Sequence, residues 1–139
     1  MTAPQPVGAT QVQRIAADDD VVRVRQLVRA VAVAARLSLV DQTKLVTAAS
    51  ELARNTLTHG GGGLVEVDTV TDGRRTGVRV SFVDEGPGIA NVELALTDGY
   101  STGTGLGLGL SGTRRLVDEF EIETKPGRGT RVMAVKWAR

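Results

Sequence analysis

An α+β sandwich, with helices on one face of a mixed, mainly antiparallel sheet, is the fold class this sequence predicts. Three observations carry it. Apolar residues recur at helical spacing in the first half of the chain. After the glycine run Gly60–Gly63 the pattern changes to the alternation of strands. Two turn signals, Asp72-Gly73 and Pro126-Gly127-Arg128-Gly129, lie between apolar runs of strand character.

The elements follow in order. Residues 1–10 are small, polar and proline-containing and are expected to form a flexible arm, leaving 11–139 as a single domain. Gln11 to Ala16 alternates polar and apolar residues, as a short half-buried strand does. One of Asp18, Asp19 and Asp20 is expected to cap the helix that follows, where a carboxylate meets free N–H groups and the positive end of the dipole. From Val21 to Leu37 the apolar positions Val24, Leu27, Val28, Val31 and Ala35 share one face, with arginines mostly between them. Ser38 reads as the next N-cap, with Asp41 three residues on, and a second helix runs from about Leu39 to Thr58. Glycine takes the left-handed C-cap cheaply, so His59 and Gly60–Gly63 end that helix. Leu64 to Val70 and Val78 to Val83 are expected strands, Leu110 to Phe120 a helix, and Glu121 to Thr124 with Thr130 to Trp137 a closing hairpin.

Composition narrows the function. The 139 residues carry a net charge of +1 with the signs interspersed, so no nucleic-acid footprint shows, and 3% aromatic residues leave few stacking platforms. No cysteine is present, which excludes disulfides and thiolate metal sites and fits a reducing compartment. The first ten residues lack the apolar run of a signal peptide, and no stretch reaches about 18 uninterrupted apolar residues. A cytoplasmic location without membrane contact is the expectation.

Three short segments concentrate chemistry. Glu51 and Asn55 are four residues apart and project from one helix face, where a carboxylate can serve a hydroxyl proton and an amide oxygen a divalent cation. Asp84-Glu-Gly86-Pro-Gly88 follows a strand directly; Asp84 can accept from an exocyclic amine such as adenine N6, and two spaced glycines admit a flat ligand. Gly103-Thr104-Gly105-Leu106-Gly107-Leu108-Gly109 runs into a helix start, where bare N–H groups cradle anions. Taken alone, each has a plain reading as well: a solvated polar pair, an Asx or Gly-Pro turn, an ordinary glycine loop. The glycine loop fits neither the dinucleotide fingerprint nor a Walker A loop. Arg54 reads either as a contact to phosphate or substrate or as a solvated side chain with a packed stem. His59 reads as a C-terminal helix residue suited to the dipole, Arg114-Arg115 as a docking or plain surface pair, and Trp137 as packing.

The order of the three segments resembles the GHKL ATPase superfamily, which includes gyrase, Hsp90, histidine-kinase catalytic domains and MutL. Glu51 to Asn55, with His59-Gly60 behind, is similar to the N box. Asp84-x-Gly86-x-Gly88 is similar to the G1 box and Gly103 to Gly109 to the G2 box. Asp98-Gly-Tyr-Ser-Thr102, Gly105-Leu-Gly107, Gly109-Leu110, Gly112, Arg115 to Phe120 and Pro126 to Thr130 resemble the RsbT-like serine/threonine kinases, the switch kinases of the stressosome. Thr104 and Ser111 depart from that pattern, and the segment between Ile89 and Ser101 implies a small ATP lid.

The resemblance implies a Bergerat-type ATP pocket and transfer of the γ-phosphoryl group to a Ser or Thr of a STAS-domain partner. It further implies release to activate a PP2C-type phosphatase. The expected roles are Glu51 as proton acceptor, Asn55 as ligand to Mg²⁺ shared with ATP phosphates, and Asp84 as adenine reader supported by Thr130. Gly86 and Gly88 would let the base lie against the backbone, and Thr104, Gly105, Leu106, Gly107, Leu108 and Gly109 would hold the phosphates. The alternatives are an anti-sigma factor kinase that binds a sigma factor directly, which the Asp98 to Thr102 segment disfavours, and a non-catalytic nucleotide-sensing scaffold, which Glu51 and Asn55 disfavour.

Overall fold

The computed structural model describes residues 3–88, 96, 109–125 and 127–139. Its elements run β1 (Gln5–Ile15), α1 (Asp18–Ala34), α2 (Leu39–Thr58), β2 (Gly63–Thr71), β3 (Thr76–Asp84), α3 (Gly109–Arg115), β4 (Glu119–Lys125) and β5 (Gly129–Trp137). The strands form one sheet in the order β1-β2-β3-β5-β4.

Every strand pairing among the described residues is antiparallel, where a mixed sheet was expected. The reason lies in the connections. β2–β3 and β4–β5 are hairpins. α1 and α2 run out and back, so the chain re-enters the sheet where it left, with Gly63 opposite Ile15.

The first strand begins earlier than expected. Gln5, Pro6 and Val7, placed by the sequence in a flexible arm, pair with Thr71, Val70 and Thr69. The register then shifts between Val7 and Gln11, where Gly8 takes a positive φ of 82°. Almost all of β1 is exposed, with Ile15 its one buried residue, so the half-buried strand expected from the alternation of Gln11 to Ala16 is corrected to an exposed edge strand.

The helix caps divide in the same way. Ser38 Oγ accepts from the Asp41 N–H at 3.1 Å, as its position predicts. The aspartate triplet caps differently from the expectation: α1 starts at Asp18, and Asp20 reaches back from inside its first turn to the N–H groups of Ala16 and Ala17 at 2.8 and 3.1 Å. At the far end of α2, His59 is the C-cap, and Gly61 and Gly62 carry the positive φ values of 73° and 105° that turn the chain back.

The core lies between the helices and one sheet face. Val24, Val28 and Val31 of α1 and Leu45, Ala49, Leu52 and Ala53 of α2 pack with Val65, Val67, Val78, Val80, Phe82, Val132 and Ala134 of the sheet. These strand residues are cross-strand neighbours: Val65 faces Phe82 and Phe82 faces Val132. The opposite sheet face holds a smaller cluster of Val70, Val135 and Trp137. Trp137 donates its Nε1–H to Glu119 at 2.7 Å, and the Arg75 guanidinium lies 4.4 Å from its ring centre. Among the described residues no helix is long and apolar enough to cross a membrane.

α3 ends at Arg115, short of the expected Phe120, and β4 begins at Glu119. Asp118 explains the early stop. Its N–H donates to Val135 O at 2.9 Å, and its carboxylate accepts from the Trp137 N–H at 2.8 Å and from Lys136 Nζ at 3.2 Å. These bonds commit the chain to the sheet before Phe120. The buried Lys136 also lies 3.5 Å from Asp41 in the first turn of α2, tying helix and sheet together.

Burial works to raise the Asp118 pKa, but the Trp137 N–H, Lys136 and Arg139 outweigh it and hold the carboxyl below its ordinary 3.8. A depressed folded-state value stabilises the fold at any pH above the unfolded value and is lost as pH falls through the folded one. Asp118→Asn is therefore expected to flatten the acid limb of the Tm–pH curve below about pH 4. An acid limb identical to that of the parent would disprove the contribution.

Candidate active site

The site is assembled where the C-terminal end of α2 meets the C-terminal end of β3. Asp84 closes β3 and pairs with Gly63 on one side and with Thr130 on the other. Its register places it on the helix-facing side of the sheet with Phe82, two residues back. Thr130, directly opposite, shares that face.

Gly60 fits α2 against Asp84. A Cβ on Gly60 would lie 2.4 Å from Asp84 Cγ and 2.7 Å from Oδ2, closer than real atoms approach. Gly86 meets the same glycine: its Cβ would lie 2.7 Å from Gly60 Cα. The sequence reading gave Gly60 only the work of ending the helix. Nothing in a run of four glycines distinguishes the one that faces a carboxylate from those that turn the chain.

The Asp84 carboxylate is divided in its duties. Oδ1 accepts from the Gly86 N–H at 2.9 Å, which fixes the turn that follows the strand. Oδ2 points toward the space that Gly60 leaves open. Asp84 is half-buried, and among the described residues no donor to Oδ2 accompanies the Gly86 N–H on Oδ1.

Gly86 and Gly88, expected to let a flat base lie against the backbone, are also held close by the protein's own packing. The space a side chain would take at Gly86 is filled by Gly60. At Gly88, with φ 77°, a Cβ would meet Lys125 O at 2.8 Å and Thr124 Oγ1 at 2.9 Å. Both glycines are demanded by the packing of the protein against itself. The β4–β5 turn braces the same loop through the Gly127 N–H, which donates to Pro87 O at 2.8 Å. Gly129, with φ 101°, lets β5 pass Asp84, since a Cβ there would lie 2.1 Å from Asp84 O. Thr130 Oγ1 lies 3.3 Å from Thr124 Oγ1, its cross-strand partner next to the turn of the expected hairpin.

Glu51 and Asn55 are both half-buried on α2. Helical rise places Asn55 about 4.5 Å and Glu51 about 10.5 Å back along the axis from Thr58, two residues before Gly60. A ligand anchored at Asp84 and running along α2 thus passes Asn55 before Glu51. Glu51 Oε1 accepts from Arg54 Nη1 at 2.9 Å, so Arg54, left open by the sequence, is in ion-pair contact with the candidate proton acceptor.

Gly109 opens α3 with φ 69°, and its carbonyl accepts from Thr113 Oγ1 at 2.9 Å. Thr104, Gly105, Leu106, Gly107 and Leu108 lie outside the described residues, as does the segment from Asp98 to Thr102.

The donor set also bears on a metal. Among the described residues no group of three or more His, Cys, Asp or Glu side chains can hold an ion. A single amide oxygen at Asn55 fits a cation such as Mg²⁺, which keeps waters and takes its other ligands from substrate phosphates.

Comparison with known proteins shows the family. The family model of the histidine kinase-, DNA gyrase B- and HSP90-like ATPases matches residues 40–138, the span from the first turn of α2 to the end of the sheet. The chain is 42% identical over 126 residues to the serine/threonine-protein kinase RsbT of Bacillus subtilis (strain 168), across 91% of this chain and 95% of that protein. The chain belongs to the RsbT-like serine/threonine kinases of this ATPase superfamily. RsbT-like kinases and anti-sigma factors share the domain: an anti-sigma F factor of Clostridium beijerinckii is 30% identical over 118 residues, 76% of this chain and 81% of that one. The fold recurs in the solved structure of the RsbU and RsbW domains of a Mycobacterium tuberculosis protein. That match has a TM-score of 0.67 at 21% identity and covers 95% of this chain and 33% of the other.

Gly60→Ala gives a direct test of the helix–strand contact. The added methyl is expected to push the Asp84 carboxylate aside and lower ATP affinity by about tenfold, the loss of roughly one charge-assisted hydrogen bond. Thr58→Ala, at an exposed position in the last turn of α2, is the control, because Gly61 with its φ of 73° would be strained by any side chain. Equal ATP affinity of the two variants in calorimetry would remove Gly60 from the site.

Proposed function

We propose that this RsbT-like kinase transfers the γ-phosphoryl group of Mg·ATP to a Ser or Thr of a STAS-domain protein in a stressosome-type switch. It is then released to a second partner, a PP2C-type phosphatase that it activates. The observation that carries the reading is the order of residues back from the turn that ends α2: Gly60 against Asp84, then Asn55, then Glu51 on the helix. That order matches the order of chemical needs along a nucleotide, from base to phosphates to reacting end.

In this reading Asp84 Oδ2 accepts from the adenine exocyclic amine, with Thr130 beside it. Asn55 holds Mg²⁺ together with phosphate oxygens, and the bound ion offsets charge on the transferring group. Gly105 to Gly109 hold the phosphates through backbone N–H groups. Glu51 takes the proton of the attacking hydroxyl. Phosphoryl transfer asks little covalent work of a protein, and a fixed array of this kind supplies positioning and charge stabilisation.

The test is a phosphotransfer assay against STAS-domain proteins encoded near this chain's gene. Label appearing on a Ser or Thr of one of them, dependent on magnesium, is the expected result. No transfer to any STAS protein by material that binds ATP would overturn the substrate assignment. The likeness to anti-sigma F factors supports a second reading, an anti-sigma factor kinase that binds a sigma factor directly. Pull-downs with a sigma factor and with the STAS protein separate the two.

A further inference from the structure

Among the described residues, the contact between Arg54 and Glu51 is a charged interaction at the site that the proposed reaction does not use. The two groups meet at 2.9 Å, with 55% of the Arg54 side chain exposed and 12% of Glu51. The acid is enclosed and the base that holds it stands in solvent. Arg54 is thus the part of the pair that an arriving protein touches first. A contact of this exposed type is weak and exchangeable, because solvent screens it and a long side chain loses freedom to hold it.

From this we infer that Arg54 gates Glu51. In the isolated kinase its guanidinium restrains the carboxylate; an acidic group on a docking protein substrate competes for the guanidinium and frees the carboxylate to accept a proton. The inference rests on the reading of Glu51 as proton acceptor. It assigns the substrate's docking face a carboxylate near the phosphorylated residue. The same restraint is expected to slow transfer of the phosphoryl group to water. In that wasteful reaction a water oxygen bonds to the γ-phosphorus, the bond from that phosphorus to the β–γ bridging oxygen breaks, ADP departs with the electron pair, and Glu51 takes the water proton. A restrained Glu51 serves that step poorly.

The alternative role for the pair is structural. A Glu followed by a basic residue one turn on supports a helix whatever its chemistry. The two roles differ in one readout, phosphate release from ATP with no protein substrate present. Arg54→Ala is expected to raise that rate by about two- to fivefold, the range that loss of an exposed ion pair corresponds to. Arg54→Lys keeps the charge on a different geometry and is expected to fall between. The Arg54→Ala/Glu51→Gln double variant is expected to return to the low rate of Glu51→Gln alone.

ADP affinity, measured alongside, confirms that each variant is folded, and Arg54→Gln replaces Arg54→Ala if the latter does not fold. A rate in Arg54→Ala equal to or below the parent rate would overturn the gate, as would a raised rate that persists in the double variant. If instead Glu51→Gln releases phosphate as fast as the parent, the reading of Glu51 has failed, and the gate fails with it. The two failures are told apart by that single variant.

Discussion

Glu51→Gln is expected to slow phosphoryl transfer to the protein substrate by roughly a hundredfold to ten-thousandfold, the range a positioned proton acceptor contributes. The substitution is nearly isosteric. It keeps an oxygen that can still accept from Arg54, now 2.9 Å away, and removes the negative charge that takes a proton. The helix is expected to stay intact, because Glu51 lies on α2 between the buried Ser50 and Leu52 without itself belonging to the core. Loss confined to the transfer step, with ATP affinity kept, marks a group that acts in the transition state. Single-turnover transfer measured beside an ATP titration reads both quantities. Transfer at the parent rate would place the proton acceptor elsewhere.

Asp84→Asn is expected to weaken ATP binding by about tenfold to a hundredfold, as loss of a hydrogen bond to a charged acceptor does. The direction follows from the local geometry. The Gly86 N–H donates to one oxygen at 2.9 Å, so an asparagine is held with its own oxygen on that side. Its NH₂ group then occupies the position of Oδ2, beside Gly60, and presents a donor to the donor of adenine N6. The same geometry predicts a change in selectivity. The parent should prefer ATP over inosine triphosphate, which carries an oxygen in place of that amine, and Asp84→Asn should lessen or reverse the preference. Calorimetric titration with both nucleotides measures it. An unchanged ratio would mean that Asp84 does not read the base.

Much of this was legible before any coordinates because it rests on local spacing. Glu51 and Asn55 share a helix face by their four-residue separation, and α2 was bounded by Ser38 and the glycine run within a residue of where it lies. The β2–β3 and β4–β5 hairpins followed from turn residues between apolar runs. What escaped was set by partners distant in sequence. The end of α3 depends on Asp118 meeting Lys136 and Trp137, and a helical apolar pattern through Phe120 gave no sign of it. The strand from Gln5 is held by hydrogen bonds to β2, and an exposed edge leaves no apolar period to read.

The sequence alone determined the layered α+β architecture, the order of the three chemical segments and the superfamily they mark, because periodicity, caps and turn residues act over a few positions along the chain. The tertiary structure decided which glycine faces Asp84, how Gly86 and Gly88 pack against Gly60 and β4, and that the Arg54 guanidinium is the one seated on Glu51. The first two depend on the approach of α2 to β3 and of the β4–β5 turn to the loop after it, contacts between segments far apart in the chain. The last rests on a spacing of three residues that permits the pair, with the side-chain conformations deciding that it forms.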